Sequence, residues 1–291
     1  MSTVISIINL KGGVGKTTIT VALAEFLAVE HHKRVLVIDL DPQTNSTVAL
    51  IGEDEWKRRN EGGQTLYALF KDHIDDTYTF EMDKSIVRRT SNLFGGLDNL
   101  HLLPSSLDFV KIQDRLIYIW QTALIRPFDV LKNAVKNHLD DYDYVLIDCP
   151  PNLGIVTQNG LNISDWYLIP AIPDHLSTYG IPQIISSVKN FNRKKSSGEV
   201  QLLGVVASMY RSNVSRHNTT LRSLKMQAEQ GELTRLFETK VPLASKAADA
   251  AEYAEGVNTL KQKYGNSGNS LYEAFQSLAE ELITYVQDER S

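Results

Sequence analysis

The residues with the plainest chemistry stand together near the start of the chain, in the run Lys11-Gly12-Gly13-Val14-Gly15-Lys16-Thr17-Thr18. A loop that grips a phosphate needs glycines, so that successive backbone N–H groups can wrap around the anion. It also needs a lysine to reach the β- and γ-phosphates and a hydroxyl to hold magnesium. Gly12, Gly13 and Gly15 meet the first need, Lys16 the second and Thr17 the third. The usual pattern carries a glycine six positions before the lysine; here that position is Leu10, and an additional lysine, Lys11, follows it. Three carboxylates join this set. Asp39 and Asp41 close the run VLVIDLD and, being two apart, point to opposite sides if both remain extended. Asp148 ends the apolar run YVLID, where a carboxylate without a partner is expensive to bury and a magnesium ion is a natural companion. Cys149 beside it reads as a small packing residue. No other group of residues has the spacing of a catalytic triad or a metal cluster.

Such residues must be held by elements legible in the same sequence. Apolar runs at residues 4–8, 35–39, 100–104, 144–148, 166–172 and 202–210 read as strands, and their lack of polar alternation suits a parallel sheet covered on both faces. The glycine-rich run lies directly after the first strand and directly before a segment of helical periodicity, TTITVALAEFLAVEHHK. The helix therefore turns its positive dipole end toward the phosphate position. Residues 52–99, rich in charge and glycine, read as a surface insertion of a short helix and loops. Residues 270–287 read as a closing amphipathic helix with Leu271, Phe275, Leu278, Leu282 and Tyr285 on one side. A chain of 291 residues with 42% hydrophobic residues suits a single large α/β domain over 1–291, a doubly wound and mainly parallel sheet flanked by helices. One cysteine allows no internal disulfide, no apolar run has the ~18 residues of a membrane span, and a net charge of −5 offers no overall attraction to nucleic acid.

KGGVGKTT resembles the deviant Walker A motif of the ParA/MinD family of P-loop ATPases. VLVIDLDPQTNST is similar to that family's second acidic motif, and YDYVLIDCPPNLG to its Walker B strand and following loop. LHLLPSS, LIPAIPDHLSTYGI and LLGVVASMY follow in family order, so the resemblance spans nearly the whole chain and is most specific over 1–50 and 142–182. It is nearest to the ParA/Soj branch without a DNA-reading extension before the P-loop. The resemblance implies a P-loop NTPase of the SIMIBI type that binds ATP and Mg²⁺ through Lys11, Gly12, Gly13, Val14, Gly15, Lys16, Thr17 and Thr18, with Pro242 also at the nucleotide. It implies that Lys11 reaches the partner's phosphates across a sandwich homodimer, that Asp41 positions the attacking water, and that Thr17, Asp39 and Asp148 serve the magnesium. Lys11, Lys16 and Asp41 are thus the expected catalytic set.

Family members of the ParA and MinD types differ in the surface they hold. A MinD-type tail is basic and lies on a membrane; this one reads LAEELITYVQDERS and is acidic, so no membrane is expected. Between residues 189 and 225 stand Lys189, Arg193, Lys194, Lys195, Arg211, Arg216, Arg222 and Lys225 against Glu199 alone, the charge pattern of a phosphate-backbone contact face. The resemblance places DNA contacts after Met209-Tyr210 and after Val241-Pro242, which selects Arg211, Arg216, Arg222 and Lys246. No recognition-helix motif accompanies them, so binding should be indifferent to base sequence. The expectation is an ATP-dependent dimer on non-specific DNA, cytoplasmic and nucleoid-associated. A ParB-like or adaptor protein would release it by stimulating hydrolysis, and the cargo would be DNA or a protein assembly. A MinD-like membrane-surface ATPase and a nucleotide-binding adaptor with little turnover are the alternatives.

Overall fold

The continuous Val/Ile/Leu runs become strands buried along their whole length: β1 Thr3–Ile7, β2 Val35–Asp39, β4 Tyr144–Asp148 and β5 Trp166–Ala171. With β3 Leu100–Leu103, β6 Gln201–Tyr210 and β7 Leu236–Pro242 they form one seven-stranded sheet, ordered β3-β2-β4-β1-β5-β6-β7. Every neighbouring pair in it is parallel. The structure, a computed structural model, describes residues 2–112, 115, 126–195, 198–265 and 270–290.

β7 is the strand that the apolar pattern does not announce. In LFETKVP only Phe237 and Val241 are buried, because this strand forms the edge of the sheet and turns Glu238 and Lys240 outward.

Helices cover both faces. On one, α1 (Lys16–Val29) packs against the closing helix, here Leu271–Arg290, through Phe26 and Phe275. As the periodicity predicts, Leu271, Phe275, Leu278 and Leu282 of that helix are buried, while Tyr285 meets Phe237 of β7 edge to face with ring centroids 4.9 Å apart. The same face holds the first turns of α2 (Asn45–Glu61), whose Ala49, Leu50 and Ile51 are buried before a break at Gly52, φ 74°. The opposite face carries α3 (Leu66–Asp75), α4 (Ile155–Ile163), α5 (Ile181–Asn192) and α6 (Ser215–Glu229).

The segment 52–99 is woven in more deeply than a surface insertion. Leu66, Phe70, Ile86, Val87, Leu93 and Leu97 all enter the two cores. Its polar composition conceals this because the apolar residues are spread one or two per turn and per loop.

The strand order places the chemistry. The chain leaves β1 toward β2 and β3 on one side, returns as β4 between β2 and β1, and crosses to β5, β6 and β7 on the other. The crevice at the C-terminal ends of strands about such a reversal is where doubly wound sheets bind ligands. β4 pairs with both β1 and β2, and its register sets Asp148 opposite both Ile7 and Asp39.

Candidate nucleotide site

Residues 8–15 join β1 to α1, and two of their glycines are required by conformation. Gly13 has φ +70° and Gly15 has φ +84°, the left-handed region that side chains resist. Gly15 is also the N-cap of α1, whose N-terminus has no side-chain cap and no acid in its first turn. A helix that begins with bare N–H groups and no competing carboxylate is open to an anion. Lys16, the first residue of that helix, is buried, and its Nζ donates to the Lys11 carbonyl at 3.4 Å. Burial lowers its pKa, a shift that the charges of Asp148 and then Asp41 oppose without cancelling.

Thr17 Oγ1 donates to Asp148 Oδ2 at 2.7 Å, and Ser46 Oγ donates to the same oxygen at 2.7 Å. The other oxygen, Oδ1, is buried without a protein partner. Burial pushes the Asp148 carboxyl up to about 6, against the hydroxyls of Ser46 and Thr17, which favour its charged form. A buried carboxylate with an orphaned oxygen beside a threonine hydroxyl is a hard-oxygen donor set that fits magnesium. Asp39 is placed differently. Its Oδ1 accepts from the Asp41 N–H at 3.0 Å, and its Oδ2 accepts from the Thr47 N–H at 2.9 Å and from Thr47 Oγ1 at 2.6 Å. It thus organises the turn into α2. Burial, and then Asp148, push the Asp39 carboxyl well above the carboxylate range. Of the two acids expected to serve a metal, Asp148 is the one with an unpartnered oxygen.

Asp41 lies past the end of β2, almost wholly buried, with Oδ1 accepting from the Gln43 N–H at 3.0 Å. Lys11 lies at the rim. Its backbone N–H donates to Asn9 Oδ1 at 2.9 Å, and its Nζ donates to Ser177 Oγ at 2.9 Å and stands 3.8 Å from Asp174 Oδ2. Lys11, Lys16, Thr17, Asp41 and Asp148 therefore come to one end of the sheet, as the motifs predict. Three further residues belong to the site, and no spacing in the sequence singles them out. Ser46 shares Asp148, Ser208 at the end of β6 donates to the Val14 carbonyl at 2.7 Å, and Asn9 donates to the Pro170 carbonyl at 2.7 Å. The hydrogen bond of Ser208 spans 194 residues, so no local pattern reveals it.

The family described as "AAA domain" matches residues 2–201. This chain belongs to that family, in its ParA/MinD-type branch. A family relative of Pseudomonas putida, an uncharacterised protein, is 31% identical over 283 residues, 97% of this chain and 95% of its own. The chromosome-partitioning ATPase Soj of Thermus thermophilus is 28% identical over 284 residues, covering 98% of this chain and 96% of its own. Cobyrinic acid a,c-diamide synthase of Mycobacterium smegmatis, solved with a bound ATP analogue and magnesium, superposes with a TM-score of 0.72 at 23% identity. That superposition covers 99% of this chain and 96% of the synthase, and it is a likeness of fold.

Compared with the P-loop, the other features expected of a ParA/MinD-type protein are more scattered. Pro242 lines a cavity of about 390 Å³ with Tyr210, Ser212, Lys240 and Glu273, between the ends of β6 and β7 and the first turns of the closing helix. The basic segment does not form a single patch. Lys195 turns inward, where its Nζ donates to the Leu161 carbonyl at 3.2 Å and burial brings its pKa down to about 8. Lys225 pairs with Glu238 at 3.4 Å. Arg211, Arg216 and Arg222 are exposed, and Lys246 is half-buried at the start of a short helix, 3.6 Å from Asp249. Cys149 is fully buried, and burial pushes its thiol far up, which suits the packing role.

Proposed function

We propose that this protein is a ParA-type ATPase that positions DNA or protein cargo, cycling between an ATP-bound dimer on non-specific DNA and a released state. The observation that carries the nucleotide part is the orphaned Oδ1 of Asp148 beside Thr17, next to the buried Lys16 and the uncapped start of α1. Thr17 and Asp148 would hold Mg²⁺, which would supply positive charge to offset that of the phosphates. Lys16 then faces the β- and γ-phosphates, the loop N–H groups of residues 12–18 cradle them, and Asp41 orients the attacking water. Lys11 completes the site of a second copy, so that hydrolysis requires two chains, as an arginine finger supplied in trans does.

Soj relatives matched along almost their whole length support the positioning role, and the exposed Arg211, Arg216 and Arg222, with Lys246, supply the DNA-facing cations. A ParB-like or adaptor protein would stimulate hydrolysis and release. The reading implies a nucleoid-associated protein. Among the described residues no helix is long and apolar enough to cross a membrane. The closing helix, which a MinD-type protein would need free, spends its apolar face on the core.

Asp41→Ala tests the reading directly. It should keep ATP and Mg²⁺ and lose turnover, leaving a dimer that persists in sizing chromatography with ATP and cosediments with DNA but not with anionic liposomes. A variant that hydrolyses ATP at the wild-type rate, or stays monomeric with ATP, would sink it.

A further inference from the structure

The ammonium that this reading sends into a second copy already has partners in its own chain. Lys11 Nζ donates to Ser177 Oγ at 2.9 Å, with Asp174 Oδ2 at 3.8 Å. Both partners, the acceptor Ser177 and the ion-pair carboxylate Asp174, belong to the connection that follows β5. Asp174 caps the short helix His175–Tyr179 by accepting the Ser177 N–H on Oδ1 at 2.7 Å, which holds Ser177 and Asp174 in one arrangement. The backbone of Lys11 is held from the same strand. Its N–H donates to Asn9 Oδ1, and Asn9 Nδ2 donates to the carbonyl of Pro170 in β5. Strand β5 and its exit loop therefore grip Lys11 at both backbone and side chain. The grip sits at the surface, with the lysine side chain 41% and the aspartate side chain 29% exposed, so it can open without unfolding anything.

We infer that Asp174 and Ser177 are positioning residues for Lys11, which hold it in cis and set how readily it is released to a second copy. This rests on the dimer reading above. In the dimer reading Lys11 turns out to a partner's phosphates, so dimerisation competes with its hydrogen bond to Ser177 and its pairing with Asp174. An exposed ion pair is weak, at most about 1 kcal/mol, and each dimer opens two of them, so the clamps adjust the dimer equilibrium about four- to thirtyfold and do not forbid it.

The test is the monomer–dimer constant of the full chain by sedimentation, with Mg²⁺ and a slowly hydrolysed ATP analogue, alongside ADP affinity measured on the monomer. Asp174→Asn should tighten the dimer about four- to thirtyfold, since both copies carry it, and leave ADP affinity unchanged, while Asp174→Glu keeps the charge and should behave as wild type. Ser177→Ala removes an acceptor of Lys11 without touching the Asp174 cap, so it should act in the same direction even if Asp174→Asn proves unstable. A dimer unchanged or weakened in Ser177→Ala and Asp174→Asn, with wild type still dimerising, would overturn the clamp and leave the dimer reading standing. Wild type that remains monomeric with the analogue would remove the dimer reading, and the clamp with it.

Discussion

Lys16 and Asp148 are buried groups whose charged forms are costly, and a ligand of opposite charge relieves both costs. Lys16→Ala removes the buried ammonium that faces the phosphate position, so ATP affinity should fall at least about tenfold, the order expected for a charged hydrogen bond. Equilibrium dialysis or fluorescence titration showing unchanged affinity would overturn the P-loop assignment. Asp148 gives a pH signature. Its carboxyl is raised to about 6 by burial, above the ordinary 3.8, so without metal the folded state holds the proton more tightly than the unfolded chain does. Its stabilising contribution is complete below about pH 4 and is lost as pH rises through about 6. Asp148→Asn should therefore stabilise the ligand-free protein at pH 8, by on the order of 3 kcal/mol, and have little effect at the acid end of this range. The same variant should lose magnesium-dependent nucleotide binding. Denaturant melts at pH 4 and pH 8 check the first part. A variant no more stable than wild type at pH 8 would mean that the orphaned oxygen costs nothing.

Helix α1 does two jobs, presenting the P-loop at one end and carrying a buried charge in its body. Glu25, wholly buried, takes an ion pair from Lys263 at 2.7 Å and hydrogen bonds from the hydroxyls of Tyr264 and Ser91. Lys263 also donates to Asn92 Oδ1 at 2.9 Å. The network ties α1 to the segment 52–99 and to the helix Leu260–Tyr264, three pieces of chain distant in sequence. Burial and the adjacent Glu25 push the Tyr264 hydroxyl well above its usual range, so it remains a donor. Lys263→Met leaves Glu25 buried without its cation and should cost about 3–5 kcal/mol, whereas the Glu25→Gln, Lys263→Met double variant should cost clearly less. Urea denaturation of both variants measures the difference, and equal losses would show that the pair acts only through packing.

For the whole molecule, the proposed reading requires a surface that offers cations to DNA phosphates. α6 points His217, Leu221 and Leu224 into the protein and leaves Arg216 and Arg222 outside, on different sides of its exposed face. If these arginines and Lys246 bind phosphates, Arg216→Glu and Lys246→Glu should each weaken ATP-dependent DNA binding about equally on unrelated duplexes. The log–log salt slope should become shallower by about one for each phosphate that is no longer neutralised. Both variants should still dimerise with ATP. Normal dimerisation with undiminished DNA affinity in both would assign these cations to solvent.

Amino-acid order alone determined the local parts of this protein. Gly13 and Gly15 permit the backbone turn, Lys16 and Thr17 follow at fixed offsets, and apolar runs without alternation make strands buried on both faces; each depends only on near neighbours. The closing helix was legible for the same reason, since its apolar residues recur at helical spacing. Tertiary structure decided what depends on distant partners. Asp39 and Asp148 look equivalent as acids at strand ends, yet Thr47 and the Asp41 N–H occupy Asp39 while one oxygen of Asp148 stays unpartnered. Eight cations in 37 residues look like one patch, but Lys195 is drawn inward and Lys225 is neutralised by Glu238, because strand and helix geometry sends neighbouring side chains in different directions. β7 escaped notice because an edge strand needs only alternate residues apolar, and its place is fixed by pairing with β6 and by the helix laid across it.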